Sequence, residues 1–285
     1  MKLWVPGAKG LVGRAFLERA GSDCIGTGRQ EVDIGDLDAV RRFLEREKAT
    51  HIVNCAAFSL VDLSESLREQ ARSANADGPE NLGKAAKETG AKVVHLSTDY
   101  VFPGDLHRPL KETDPIAPCN YYGQTKREGE ERLLGVLPTA CVIRTSWIFG
   151  AGGKNFVAKL LDLLQQPGEI RLTNDHWGRP TYAPDLAEAI LNLLEASGIY
   201  RFANAGVATK HEFGLTMREE AARAGFTIAA KEILGVPGSA FPSPCKRPVY
   251  SAFDTTKIEA KLGACIRPWQ EALREYLCAL SPVSL

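Results

Sequence analysis

The stretch LWVPGAKGLVG, residues 3–13, decides the fold of this chain. It opens with a short apolar run typical of a buried strand, and glycines follow at positions 7, 10 and 13, where a helix would begin. Small residues at such a turn let backbone N–H groups and the positive end of the helix approach a phosphate closely. The stretch therefore predicts a dinucleotide-binding turn, with a tight strand-to-helix turn that binds nothing as the alternative. The expected contacts to the dinucleotide come from Gly7, Gly10, Leu11, Val12 and Gly13.

Short apolar runs and amphipathic stretches alternate through the first half of the chain. The runs at 24–27, 51–55, 92–97 and 140–145 are each too short and too continuous for a surface strand, so they predict buried strands. Between them, Asp36 should cap a helix that extends to residue 47, and Gly90 should end a helix at residue 89. This alternation predicts right-handed βαβ units, and so an α/β fold with a doubly wound, Rossmann-type parallel sheet.

The pattern changes near residue 151. Glycines at 150, 152 and 153 and proline-rich stretches at 236–238 and 241–244 predict loops, which often close over a ligand or join a smaller lobe. Helices are expected near 155–164, after a capping box at 209–212, and at 269–280. We predict a dinucleotide-binding domain over 1–150, to which 179–205 returns, and a smaller, mainly substrate-binding C-terminal lobe over 151–285.

Composition narrows the functional class. The 285 residues are 44% hydrophobic, and 35 Lys and Arg balance 35 Asp and Glu. A net charge of zero leaves no electrostatic footprint for nucleic acid or for a membrane surface. The seven cysteines are scattered and never form a C-x-x-C pair, which argues against a disulfide framework and a zinc site. No signal peptide or spanning segment is evident, so we expect a cytoplasmic protein with a small-molecule partner.

Tyr122 and Lys126 are the most informative pair of polar residues. In a helix, residues four apart place their Cβ atoms roughly 5–6 Å apart, so the ammonium is expected to stabilise the phenolate and to lower the tyrosine pKa from about 10. Tyr121 has no such partner. Thr98 ends a predicted parallel strand, at the edge where open α/β sheets bind ligands, and its hydroxyl could bond a substrate oxygen as charge develops. Thr98, Tyr122 and Lys126 are therefore candidate catalytic residues of a sugar-ketone reductase, with a chance Tyr/Lys match as the alternative.

Arg29 stands where NAD-binding sites usually have an acidic residue, at the end of the second predicted strand. A guanidinium there can pair with a ribose phosphate, which predicts a preference for NADPH over NADH. The alternative is a solvated surface arginine. Asp33 and Ile34 follow shortly afterwards and are expected to border the adenine.

Longer motifs give the chain a family resemblance. The specific ones are STDYVF at 97–102 and RTSW at 144–147; NCAAF at 54–58, YGQTK at 122–126 and GRPT at 178–181 accompany them. On these motifs the chain resembles the extended short-chain dehydrogenase/reductases and, within them, the dTDP-4-dehydrorhamnose reductase family, over nearly its whole length. The family usually has Gln at the position of His176, close to the expected sugar pocket.

The resemblance implies hydride transfer from NAD(P)H to the 4-keto group of a dTDP-deoxyhexose, the last step to dTDP-rhamnose. It implies that Tyr122 is the acid, that Lys126 orients it and binds the nicotinamide ribose, and that Thr98 assists at the ketone. Some members form homodimers with magnesium, for which this sequence shows no ligands. The resemblance also implies that Ala56, Ala57 and Phe58 line the cofactor and that Asn75 supports the site. It implies that the residues facing the sugar nucleotide are Asp99, Tyr100, Trp147 and Arg247.

Two other functions stay open at this point. One is a non-catalytic, NADP-binding regulatory subunit, because the β subunit of methionine adenosyltransferase is similar to this same family. Intact Thr98, Tyr122 and Lys126 favour catalysis. A nucleotide-sugar epimerase or dehydratase is the third function, but such enzymes normally keep their NAD bound, and Arg29 favours exchangeable NADPH.

Overall fold

The computed structural model describes residues 1–153 and 155–281. Within them, the strands are β1 (Leu3–Pro6), β2 (Cys24–Thr27), β3 (His51–Asn54), β4 (Lys92–Thr98), β5 (Cys141–Thr145), β6 (Ile148–Phe149), β7 (Gly168–Thr173), β8 (Trp177–Gly178), β9 (Thr181–Tyr182), β10 (Gly198–Phe202), β11 (Ala208–Thr209) and β12 (Ala230–Val236). The α-helices are α1 (Leu11–Ala20), α2 (Leu37–Glu47), α3 (Arg68–Arg72), α4 (Gly78–Thr89), α5 (Tyr121–Val136), α6 (Phe156–Leu164), α7 (Ala183–Asn192), α8 (Lys210–Arg223), α9 (Thr256–Leu262) and α10 (Trp269–Leu280). A π-helical turn, Ser73–Asp77, joins α3 to α4, and a 3₁₀ turn, Asp99–Val101, follows β4.

The main sheet is parallel throughout and has six strands in the order β10-β5-β4-β3-β1-β2. Alternate side chains of each strand face opposite sides. Leu3 and Val5 of β1 therefore share a core with α1 and α7, whereas Trp4 between them shares a core with α2 and α4. This arrangement confirms the predicted doubly wound α/β fold, and the five predicted strands are present with ends shifted by at most one residue.

The predicted helix ends are confirmed by their caps. The Asp36 carboxylate accepts hydrogen bonds from the backbone N–H groups of Asp38 and Ala39, at 3.0 and 3.1 Å. Gly90 takes a left-handed conformation with φ of +78°, which glycine adopts without steric cost. At the start of α8, Thr209 and Glu212 form the complete capping box.

A further hydrophobic core lies outside the main sheet. Helices α6, α8 and α10 pack there with strands β7 and β12, which pair in parallel. Two elements from the second half of the chain return to the main sheet. Strand β10 pairs with β5, and α7 packs on α1. None of the described helices is both long and apolar enough to cross a bilayer.

A buried ion pair fixes α5 on the sheet. Arg144 of β5 has no exposed surface, and its guanidinium donates to the Glu130 carboxylate of α5 at 2.7 and 3.0 Å. Removing one partner would leave the other charge buried without compensation, a cost of about 3–5 kcal/mol. The orientation of α5, which carries Tyr122 and Lys126, therefore depends on this pair.

Gly129 should be intolerant of substitution. An added Cβ would lie 2.0 Å from the Asn75 carbonyl oxygen, because α5 and the π-helical turn approach each other closely there. We expect Gly129→Ala to lower the free energy of unfolding by about 1–3 kcal/mol in urea titrations, because α5 must shift.

Gly135→Ala is the matched control, since it lies in the same helix and a Cβ there meets nothing within 4 Å. It should leave stability unchanged or raise it by about 0.5–1 kcal/mol. Equal effects of the two substitutions would contradict the close packing described here.

Candidate active site

A cleft of about 940 Å³ lies at the carboxyl edge of the main sheet. Its lining includes the residues that end or follow the central strands, which is where open α/β sheets place ligands. The predicted site residues that line it are Gly7, Gly10, Leu11, Val12, Arg29, Asp33, Ile34, Ala56, Ala57, Thr98, Asp99, Tyr100, Tyr122, Lys126, Trp147 and Arg247.

Three predicted contact residues do not line the cleft. An added Cβ on Gly13 would lie 2.4 Å from the Gly7 carbonyl oxygen, so this glycine lets α1 pack against the turn instead of contacting a ligand. The backbone N–H of Phe58 donates to the Asn75 side chain at 2.8 Å, and the Asn75 amide donates to the Phe58 carbonyl at 3.1 Å. Asn75 also donates to the Thr125 hydroxyl at 3.1 Å, and so joins the segment after β3 to α5.

The glycine turn forms a cradle suited to a diphosphate. Gly7 has φ of +79°, and a Cβ there would lie 2.5 Å from the backbone nitrogen of Ala56, so only glycine allows this approach. Gly10 is the N-cap of helix α1 and offers no side-chain hydrogen bond, and the first turn of the helix has no acidic residue. Its first N–H groups therefore remain available for an anion at the positive end of the helix.

Two cations flank the far end of this cleft. The Arg29 side chain is 65% exposed, and its Nε lies 3.0 Å from the Asp33 carboxylate. Lys9 lies 2.7 Å from Glu31, whose carboxylate also accepts from the Gly28 N–H. Exposed pairs of this kind contribute little to stability, so Arg29 can exchange its partner for a ligand phosphate at small cost. Lys9 was not predicted, because the sequence gives no signal that separates it from other surface lysines.

Lys126 is buried, with 2% of its surface exposed. Its ammonium donates to the Leu96 backbone carbonyl of β4 at 2.6 Å and lies 3.4 Å from Nε2 of His95. Burial lowers the pKa of Lys126 to about 8, and burial together with the Lys126 charge lowers the pKa of His95 well below its usual value. His95, which contacts the Asn54 amide at 3.0 Å, is therefore a neutral neighbour of the ammonium. No sequence pattern indicated either contact.

The predicted effect of Lys126 on Tyr122 is wrong for this structure. Burial raises the pKa of Tyr122 above its ordinary value of 10, and the Asp99 charge adds to this, although hydrogen bonding to Thr98 opposes it. The ammonium is bonded to Leu96 and does not offset the cost of burying a phenolate. Tyr122 is therefore protonated at neutral pH, and the phenol is suited to donate a proton.

Thr98 and Asp99 complete the site next to Tyr122. The Thr98 hydroxyl accepts from the Tyr100 N–H at 3.2 Å and donates to the Asp99 carboxylate at 3.0 Å. Asp99 is 2% exposed, and burial raises its pKa to about 6. The second carboxylate oxygen of Asp99 has no hydrogen-bond partner among the described residues. The Tyr100 ring meets the Tyr122 ring edge-on, with centroids 5.5 Å apart.

A second cavity of about 770 Å³ adjoins the cleft and shares part of its lining. Arg247 lies in both, where its guanidinium makes two 2.9 Å hydrogen bonds to Asp62 and one of 3.2 Å to the Tyr100 hydroxyl. Trp147 also lies in both and has φ of +46°, an uncommon conformation for a bulky residue. His176, expected near the sugar pocket, lines this second cavity; other basic residues there, which sequence reasoning did not place, are Arg171, Lys210 and Lys246.

No candidate metal site is present in the described part of the chain. No group of three or more His, Cys, Asp or Glu side chains could hold an ion there.

Comparisons with known proteins extend over the whole fold. A family model described as the RmlD substrate binding domain matches residues 1–281. A dTDP-4-dehydrorhamnose reductase from Streptomyces griseus is 37% identical over 283 residues, which cover 97% of this chain and 93% of the relative. The crystal structure of a dTDP-4-dehydrorhamnose reductase from Clostridium acetobutylicum has a TM-score of 0.93 at 33% identity, covering 98% of this chain and 99% of its own. That of a dTDP-4-dehydrorhamnose reductase from Bacillus anthracis, in complex with NADP, has a TM-score of 0.91 at 30% identity, covering 98% and 100%.

Arg29→Ala should weaken NADPH binding selectively. The substitution removes the guanidinium that can pair with the ribose phosphate, while NADH, which lacks this phosphate, loses nothing. We expect the dissociation constant for NADPH to rise about tenfold in fluorescence titrations, because one charge-assisted contact is lost. The dissociation constant for NADH should stay unchanged. Arg42→Ala, which removes another exposed arginine outside the cleft lining, is the control. Unchanged NADPH affinity in Arg29→Ala would remove the assignment.

Proposed function

This chain belongs to the dTDP-4-dehydrorhamnose reductase family, and from that premise we propose that it uses NADPH to reduce the 4-keto group of a nucleotide-linked deoxysugar. The proposed reaction converts dTDP-4-dehydro-L-rhamnose to dTDP-L-rhamnose. The observation that carries the proposal is the meeting of Thr98, Tyr122 and Lys126 in one cleft with an uncapped helix N-terminus. This reaction needs a proton donor and a cradle for the cofactor diphosphate in the same site.

The cofactor contacts follow from the cleft. The N–H groups at the start of α1 would hold the diphosphate, Arg29 the ribose phosphate, and Ala56 and Ala57 the adjoining surface. NADPH, when bound, supplies the hydride. We assign this binding to residues 1–150, with 179–205 returning to the same domain, because the cradle and the main sheet lie there.

Proton delivery is assigned to Tyr122. As a hydride reaches the carbonyl carbon, the carbonyl oxygen becomes an alkoxide and takes the phenolic proton. The raised pKa of Tyr122 keeps that proton in place at neutral pH until a strongly basic oxygen forms. The Thr98 hydroxyl can hydrogen-bond the same oxygen. Lys126 positions Tyr122 by holding α5 against β4 through its hydrogen bond to the Leu96 carbonyl.

The sugar nucleotide is assigned to the corner where the cleft and the second cavity meet. Asp99, Tyr100, Trp147 and Arg247 line both spaces, so a ligand at this corner can contact all four. The positive charges around the second cavity suit an anionic diphosphate. The substrate-binding role of 151–285, a homodimeric state and a cytoplasmic location are part of the same proposal.

Tyr122→Phe should abolish most turnover. Loss of the proton donor is expected to reduce kcat for dTDP-4-dehydrorhamnose by about 10²–10⁴. NADPH affinity should stay within about twofold of the wild-type value, because only the hydroxyl is removed. The assay follows NADPH absorbance with this substrate.

Tyr121→Phe is the matched control. Tyr121 precedes Tyr122 in the same helix, but its hydroxyl lies 3.5 Å from the Arg68 carbonyl and Tyr121 is not among the residues that line the cleft, so this variant should keep wild-type activity. Equal rates for Tyr122→Phe and wild type would refute the mechanism. A wild-type protein that binds NADPH but turns over no sugar ketone would refute the proposed function and favour the non-catalytic, NADP-binding subunit.

A further inference from the structure

Lys210 holds an ammonium group at an unusual place in the second cavity. It is the first residue of α8, and its Nζ lies 3.4 Å from the centre of the Trp147 ring and 4.1 Å from that of Phe156. The positive end of a helix disfavours a cation. Within the described residues, this ammonium makes no hydrogen bond or ion pair. Its N–H groups are therefore available to a ligand.

Asp99 provides the complementary group. Burial lowers the pKa of Lys210 to about 7, and the Asp99 carboxylate is the acidic group that opposes this shift. The second Asp99 oxygen has no hydrogen bond among the described residues, although the nearby Ser251 hydroxyl helps to lower the pKa of Asp99. Asp99 also follows Thr98 directly and accepts the Thr98 hydroxyl. The buried Asp99 carboxylate can accept a hydrogen bond and the Lys210 ammonium can donate one in the second cavity. Asp99 directly follows Thr98, which is assigned to the ketone.

Trp147 lines the same cavity as these two groups. Its ring rests on Gly178, where an added Cβ would lie 2.5 Å from the indole, and Lys210 covers the ring from above its centre. The residue holds a backbone conformation that is costly unless its surroundings maintain it. An aromatic wall beside one donor and one acceptor suits a pyranose ring with hydroxyl groups.

We propose that Lys210 is a further substrate-binding residue, whose ammonium donates a hydrogen bond to an oxygen of the hexose ring while Asp99 accepts from a neighbouring hydroxyl. This inference rests on the proposed function and adds a specificity-determining residue to it. The hexose is chosen over the diphosphate because the Asp99 carboxylate at this corner would repel a phosphate, whereas a hydroxyl can bond to both groups.

The test compares two ligands that differ only in the sugar. Calorimetry gives the dissociation constants of dTDP-L-rhamnose and dTDP for wild type and for Lys210→Met, which keeps a long apolar side chain on the two rings but removes the charge. We expect Lys210→Met to bind dTDP-L-rhamnose about tenfold or more weakly, with dTDP affinity within twofold of wild type. KM for the keto sugar should rise more than kcat falls, and Lys210→Arg should recover part of the affinity.

Controls separate this inference from the proposed function. Lys257 contacts the Tyr200 ring at 4.6 Å outside both cavities, so Lys257→Met should bind both ligands as wild type does. Equal weakening of dTDP and dTDP-L-rhamnose in Lys210→Met, or no weakening of either, would overturn the inference. A wild type that binds dTDP-L-rhamnose no more tightly than dTDP would overturn it as well. Selective weakening in a protein that turns over no keto sugar would support Lys210 and refute only the proposed activity. If Lys210→Met does not fold, wild-type affinity for both ligands in Lys210→Gln would still overturn the inference.

Discussion

The hydrogen bond from the Lys126 ammonium to the Leu96 carbonyl is the interaction on which the candidate site depends. It ties α5 to the end of β4 inside the protein, and so places Tyr122 of that helix beside Thr98 of that strand. The Arg144–Glu130 pair fixes the same helix further along the sheet. Two buried, charge-assisted contacts therefore set the geometry of the cleft, where a small displacement would separate the proton donor from its target.

This anchoring gives Lys126 a different role from that of lowering the Tyr122 pKa. Burial raises the pKa of the Tyr122 phenol with no offsetting contribution from the ammonium, so Tyr122 of the free protein is protonated at neutral pH. Reduction of a ketone needs this form, whereas the reverse oxidation needs the phenolate.

Much of the fold and part of the site could be predicted from the sequence. Strands, caps and the glycine turn depend on neighbouring residues, which is why Asp36, Gly90 and the capping box at Thr209 are present as predicted. The contacts of Lys126 and Lys210 depend on which distant groups burial brings together. A pattern of residue types does not predict that Lys126 bonds a backbone carbonyl or that Lys210 lies against two aromatic rings. The direction of the Tyr122 pKa was missed for the same reason, since helical spacing gives the distance to Lys126 but not the loss of solvent.

The most direct test of this account is the pKa of Lys126, measured by NMR titration of protein labelled with ¹³C at lysine Cε. Comparison with Lys126→Met assigns the signal, and Lys210→Met identifies the half-buried lysine of the second cavity. The account predicts a midpoint near pH 8 for Lys126, because its ammonium is removed from solvent. A midpoint at its ordinary value of 10.5 would show a solvated ammonium and contradict the anchoring of α5 described here.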